Sequence, residues 1–341
     1  MSSLESCVYF LNDKKYINNR KKPIYKMLPL DFFVKNELTN SKRLNSIPNW
    51  KSMFYICLKE DDLTINEIAL ETRRLQSTRK IGSENSVLLK WDGDGELISL
   101  KNYLKALSSP KQYIYTMIEF YKHLLGTLQT LNDQQIVHNF ITMDTILVNK
   151  TYFNPVITNF SFSLDLKNGQ QLKPFFQSYE PSYIEWPLEL HILSYLLTNK
   201  LESLSLLNIE RIVHDVLSEH KLLYSFGDTV VSSFQREGVE YFSKYVNQSY
   251  ETIVKDILQY SGTWDNYALS IMFLRILIYV HRCLKKENKF IIFFMKLLVQ
   301  NIHFCPLKRL SVVETTNKFA QILDQMDIQD YKQLIQDLVL A

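Results

Sequence analysis

At 341 residues the chain is long enough for one large core or two packed lobes, and 46% hydrophobic against 22% charged residues excludes an intrinsically disordered protein. A formal net charge of +3 supplies no electrostatic argument for a nucleic-acid or membrane-surface partner. The scattered cysteines, Cys7, Cys57, Cys283 and Cys305, lack metal-type C-x-x-C spacing and read as free thiols of a reducing compartment.

In chain order, residues 7–11 and 24–28 carry short β-like apolar runs on either side of a charged turn. Residues 30–44 place apolar side chains at helical spacing behind Pro29 and Asp31, a helix start. Residues 53–58 and 86–91 read as strands. Between them, residues 60–80 are charged and helical, with Ile65, Ile68, Ala69 and Leu75 on one face, and Asp92-Gly93-Asp94-Gly95 is a turn. From Leu97 the pattern is almost wholly helical. Residues 99–104 open a short helix, and 113–131 keep Tyr113, Met117, Phe120, Tyr121, Leu124, Leu125 and Leu128 on the 3.6-residue period. Residues 191–197, 209–220 and 239–258 have helical periodicity too. The apolar runs 267–280 and 290–300 are interrupted by Arg275 and Lys296 and fall short of the roughly 20 residues a spanning helix needs, so no membrane span is expected. The N-terminus lacks a basic-then-apolar signal pattern, and a cytoplasmic protein is expected.

The most specific stretch is 136–166, IVHNFITMDTILVNKTYFNPVITNFSFSLDL. From His138 through Asn139, Phe140, Ile141, Thr142, Met143, Asp144 and Thr145 to Val148 it follows the frame H-R-D-L-K-P-x-N-I-L-V. After a strand at 155–158, Asn159-Phe160-Ser161 stands where D-F-G would. Trp186-Pro187-Leu188-Glu189 has the outline of A-P-E, and Trp264-Asp265-Asn266-Tyr267-Ala268-Leu269 that of D-x-W-S-L-G. Cys305-Pro306-Leu307-Lys308-Arg309-Leu310-Ser311 matches D-P-x-x-R-x-S, and Glu37 followed by Ile47-Pro48-Asn49 matches a regulatory helix with an H-P-N-I-V exit. Together these stretches resemble the protein-kinase superfamily over about residues 20–325. The style of divergence resembles that of kinase-like proteins of large DNA viruses.

The resemblance implies an α+β, two-lobed protein-kinase-like fold. A small β-containing N-lobe would hold residues 1–95, and a larger, mainly helical C-lobe would hold 96–341 with a helical insertion at about 198–262. It implies structural roles for His138 in the buried spine, for Asp265 in fixing the catalytic-loop backbone, and for Glu189 and Arg309 as a buried ion pair. The catalytic positions are lost. Phe140 replaces the carboxylate that orients the incoming hydroxyl and accepts its proton, and Thr142 replaces the lysine that steadies the γ-phosphate. Thr145 replaces the amide that holds the second metal. Asn159 replaces the carboxylate ligand of Mg²⁺, and a neutral amide is a poor ligand for a hard cation. No G-x-G-x-x-G occurs, and the first glycine is Gly82, so a phosphate-cradling loop is missing. For the lysine that would position nucleotide phosphates, Lys26 with Glu37 is preferred and Lys59 with Glu67 or Glu71 is the alternative. Neither pair alone establishes nucleotide binding.

Asp94, Asp144 and Asp165 read as surface charges at turns rather than substitute ligands. His214 and His220 are six apart, not four, and no metal pair is expected from them. The basic runs 19–22 and 285–286 read as solvated turns, so no nucleic-acid partner is expected. The insertion is either a docking or occluding element or structural padding. The leading expectation is a pseudokinase-type scaffold or allosteric regulator with protein partners and without catalytic residues, metal or cofactor. One alternative is a divergent ATP-dependent Ser/Thr kinase that holds ATP and Mg²⁺ through Asn159, Asp144 or Asp165. Another is a structural component of a larger assembly, in a virion if the gene is viral.

Overall fold

The computed structural model describes residues 24–59, 86–91, 96–168 and 172–339. Its first elements are β1 (Ile24–Pro29), α1 (Phe32–Leu44), β2 (Phe54–Tyr55), β3 (Cys57–Lys59), β4 (Ser86–Trp91) and β5 (Leu97–Ser99). There follow α2 (Leu100–Ala106), α3 (Pro110–Asp133), β6 (Ile136–Val137), β7 (Ile146–Asn149), β8 (Asn154–Thr158) and β9 (Leu164–Asp165). The rest is helical: α4 (Leu188–Asn199), α5 (Leu206–Glu219), α6 (Lys221–Tyr224), α7 (Asp228–Phe242), α8 (Tyr250–Leu258), α9 (Trp264–Cys283), α10 (Lys289–Asn301), α11 (Val312–Asp324) and α12 (Ile328–Asp337). The chain is therefore α+β, with its strands in the first half. It divides into a smaller unit, which ends at Tyr103 and takes in Asp144–Ser163, and a larger unit of Leu104–Met143 with the chain from Leu164 onward. The strand expected at 7–11, the basic run 19–22, the helix expected at 60–80 with Glu67 and Glu71, and the turn at 92–95 with Asp94 lie outside the described residues.

In the smaller unit β4 lies between β1 and β3 in an antiparallel sheet, with Ile24 opposite Trp91 and Cys57 opposite Trp91 from the other side. A second sheet has the order β2-β8-β7-β5, in which β2 runs parallel to β8. The single strand expected at 53–58 is split at Ile56. Its first half joins one sheet and its second half the other, so one short segment serves both. Helix α1 starts as expected: Asp31 accepts a hydrogen bond from the Val34 amide at 2.8 Å, satisfying one of the orphan donors of the first turn. Val34, Tyr55, Cys57, Leu89, Trp91 and Val156 form the apolar cluster. Yet α1 also buries Asn36, Glu37, Asn40 and Ser41. A buried polar face requires partners, and those partners make one half of the candidate site.

In the larger unit Ser109 caps α3 and Pro110 opens it, a position where the missing N–H costs nothing. Helix α9 is buried on nearly every face, as an apolar helix at the centre of a domain must be. The Tyr121 ring of α3 meets Phe273 of α9, Phe294 of α10 and Phe319 of α11, each with centroids 4.8 Å away. Between α4 and α9 the chain forms α5 to α8. Ser205 and Asn208 build a reciprocal capping box at the start of α5. The continuous helix expected at 239–258 is instead two helices. After α7 the chain makes a 3₁₀ turn at Ser243–Tyr245, Asn247 adopts a left-handed conformation (φ 59°), and Ser249 caps α8. Among the described residues no helix is long and apolar enough to cross a membrane.

Candidate functional site

The sequence positions of interest fall on both units, and each set has its own geometry. In the larger unit the amides after β6 are held by a carboxylate. The Asp265 carboxylate of α9 accepts the His138 amide at 2.7 Å and the Asn139 amide at 2.9 Å. Burial raises the Asp265 carboxyl to about 6, and these two amides act against that rise by favouring the charged form. His138 is fully buried, and its Nδ1 accepts the Phe140 amide at 3.3 Å. Asn139 is left-handed (φ 62°), and its carbonyl accepts the Trp186 Nε1–H at 3.0 Å. Such a conformation persists only where its surroundings over-determine it, and here Asp265 and Trp186 grip the residue from its amide and its carbonyl.

Phe140 is buried at 9% exposure, its ring stacked on Tyr183 with centroids 5.4 Å apart and planes 14° from parallel. It offers no proton acceptor. Thr142 is half-buried. Asp165, expected on the surface, is buried in β9, where it accepts the Lys167 amide at 3.1 Å. The reason for the difference is the pairing of β9 with β6, which draws Asp165 into a ladder opposite Ile136.

Glu189 and Arg309 meet in the interior of the larger unit, both with 0% side-chain exposure. Arg309 Nη2 donates to both carboxylate oxygens at 2.7 and 2.6 Å. Trp264 Nε1 donates to Glu189 Oε1 at 3.0 Å, while Arg309 Nε donates to the His303 carbonyl and Nη1 to the Thr263 hydroxyl. Desolvation of two charges is costly, and this arrangement offsets it by giving their lone pairs and protons further partners.

In the smaller unit α1 grips the segment after β8. Asn36 Nδ2 donates to the carbonyls of Ser161 and Ser163, each at 2.8 Å. Glu37 is fully buried. Burial raises its carboxyl to about 7, opposed by the Cys57 thiol, the backbone amides of Phe160 and Ser161, and the Ser41 hydroxyl. The Cys57 thiol donates to Glu37 Oε1 at 3.7 Å, and burial followed by the charge of Glu37 pushes that thiol up. Asn159 is buried and left-handed (φ 69°), and its Oδ1 accepts the Ser161 hydroxyl at 2.6 Å. Thr145 is buried, and its carbonyl accepts the Thr158 amide at 2.9 Å. Asp144 is exposed.

Lys26 in β1 and Lys59 in β3 both lie opposite Leu89 on β4, so backbone register alone leaves the two lysine candidates at the same level of the sheet. The residues that sequence reasoning did not single out are Asn36, Tyr183, and Trp186 and Trp264 as indole donors. A signal was present for the first: Asn36, Glu37, Asn40 and Ser41 form a polar i, i+4 pattern on the face of α1 that carries Val34 and Leu44. Among the described residues no cluster of three or more His, Cys, Asp or Glu side chains is arranged to hold a metal ion. No family model matches the sequence, and comparison with curated proteins gives no match.

Proposed function

We propose that the chain is a protein-kinase-like protein without phosphoryl-transfer activity, acting as a protein-binding scaffold or allosteric regulator. The observation that carries the reading is Phe140. In the segment whose backbone Asp265 holds, the position of the proton acceptor is an aromatic ring stacked on Tyr183. In-line transfer to a hydroxyl needs a group there that orients the nucleophile and takes its proton, and a phenyl ring does neither.

Other features agree with a kinase-like frame. The Glu189–Arg309 pair and the Asp265 clamp have the partners that the resemblance assigns to them. Helix α1 follows β1 after two residues and carries Glu37, an order compatible with the pairing of Lys26 with Glu37. Two of the positions that would hold ATP with Mg²⁺ are poorly suited to it. Asn159 is neutral, its Oδ1 is engaged by Ser161, and Thr145 supplies no carboxylate or amide side chain.

The test is direct. Purified protein with Mg²⁺ or Mn²⁺ and labelled ATP is expected to give no transfer above that of a Phe140→Ala variant, and ATP is expected to leave its thermal midpoint unchanged. Transfer that disappears on Asn159→Ala would overturn the proposal.

A further inference from the structure

In the larger unit a cavity of about 390 Å³ opens between the segment leading into α4, the α5–α6 junction and α9. Its charged lining is Glu219, Lys221, Arg275 and Arg282, three cations against one anion. The Ser225 hydroxyl lies beside them, while that of Ser182 already donates to Glu180 Oε1 at 2.6 Å. Arg275 and Arg282 are seven residues apart on α9, two turns along one face, so both guanidinium groups border the same opening.

Arg275 is already oriented. Its Nη1 donates to Glu185 Oε1 at 2.6 Å, and the carboxylate is largely buried while the arginine side chain is 45% exposed. A guanidinium has five N–H donors in a fixed fork, so a pairing through one nitrogen leaves others for a ligand. Neither Lys221 nor Arg282 takes part in an ion pair among the described residues. The positive field extends inward as well. Buried His220, next to Lys221 in the chain, is pushed down to about 4 by burial, by a smaller contribution from the charge of Arg275, and against a backbone hydrogen bond.

We propose that this cavity binds the phosphoryl group of a phosphoserine-type side chain on a partner peptide. Arginine forks and a lysine are the groups that recognise phosphate oxygens by charge-assisted hydrogen bonds, and the Ser225 hydroxyl adds a donor. Ile184, Leu222 and Ile278 line the same space and give the apolar flanks of a peptide side chain a surface to rest on. The volume lies at the small end of the range for ligand sites, about 300–1,000 Å³, which suits one modified side chain and part of its neighbours. A lipid headgroup is disfavoured because membrane-surface binding uses a broad basic face, whereas these cations surround a concavity in a protein of net charge +3. The inference does not rest on the kinase-like reading and stands or falls separately from it.

The experiment uses the full chain and a labelled pool of short peptides with phosphoserine at a fixed central position and degenerate apolar flanks, measured by fluorescence anisotropy. The phosphorylated pool is expected to bind, with inorganic phosphate competing, and the unphosphorylated pool to bind at least about tenfold more weakly. Arg282→Gln is expected to lose about tenfold in affinity and Lys221→Gln/Arg282→Gln to lose binding, with thermal midpoints unchanged because both side chains are exposed and make no ion pair among the described residues. Three results would each overturn the inference: no binding of the phosphorylated pool, equal binding of its unphosphorylated twin, or wild-type affinity in the double variant. Binding to phosphatidylserine vesicles without binding to the peptides would also overturn it.

Discussion

Arg309→Met tests whether the interior of the larger unit depends on a charged pair. Methionine keeps much of the apolar volume and removes the guanidinium. Glu189, at 0% side-chain exposure, is then left with Trp264 Nε1 as its remaining hydrogen-bond donor, and the Thr263 hydroxyl and His303 carbonyl lose the Arg309 donors. Removing one member of a buried pair costs about 3–5 kcal/mol, a fifth or more of the ~5–15 kcal/mol that holds a typical domain. In the double variant Arg309→Met/Glu189→Leu no charge is left uncompensated. Its loss is expected to be smaller than that of Arg309→Met by about 2 kcal/mol or more, since apolar replacement of both partners is often neutral. Guanidinium titration followed by tryptophan fluorescence measures all four corners of the cycle, and Trp264 reports locally because its indole touches the pair. A single-variant loss below about 1 kcal/mol, or a double-variant loss equal to the sum of the singles, would refute the reasoning.

Three other expectations follow from local geometry. Glu37 titrates near 7 when folded and near 4.5 when unfolded, so the folded state holds the proton longer and stability falls as pH rises through that window. Glu37→Gln should remove about 2 kcal/mol of the loss between pH 5 and pH 8, read from denaturation midpoints; an unchanged pH slope contradicts the assignment. His191 is buried and pushed down to about 3 by burial, so it stays neutral in the fold while the unfolded chain protonates below 6.5. Its contribution is present above pH 6.5 and is lost on acidification, and His191→Gln should lessen the drop between pH 6.5 and 5 by about 2 kcal/mol in the same titration. Gly126 and Gly238 should respond in opposite ways to an added side chain. A Cβ at Gly126 meets nothing within 4 Å, so Gly126→Ala should stabilise α3 by up to about 1 kcal/mol. At Gly238 it would lie 3.1 Å from Phe304 and 3.3 Å from Leu188, and Gly238→Val should cost about 1–3 kcal/mol in thermal unfolding.

Legibility varied with the range of the interaction that forms each feature. Helix α1 was readable because Asp31 and the apolar spacing after it act within one or two turns. Strand β4 appears at 86–91, the range expected, and α3 lies within two to three residues of its expected bounds. The break between α7 and α8 is hidden although Asn247 and Ser249 are ordinary turn and cap residues, because the apolar period continues across them. The burial of Asp165 is hidden for a different reason: it depends on pairing with Ile136, about thirty residues away, which no local pattern encodes.

The candidate positions divide along the same line. Motif spacing alone singled out His138, Phe140, Asn159, Glu189, Asp265 and Arg309, because a frame of fixed offsets is a one-dimensional signal. That Asp265 holds two consecutive amides, that Trp264 completes the coordination of Glu189, and that Phe140 stacks on Tyr183 became visible only with the fold. So did the cavity bounded by Lys221, Arg275 and Arg282. Residue identity sets which chemistry a side chain lacks, and Phe140 cannot accept a proton in any fold. Which chemistry a side chain has available depends on neighbours brought from distant parts of the chain, and only packing assembles those.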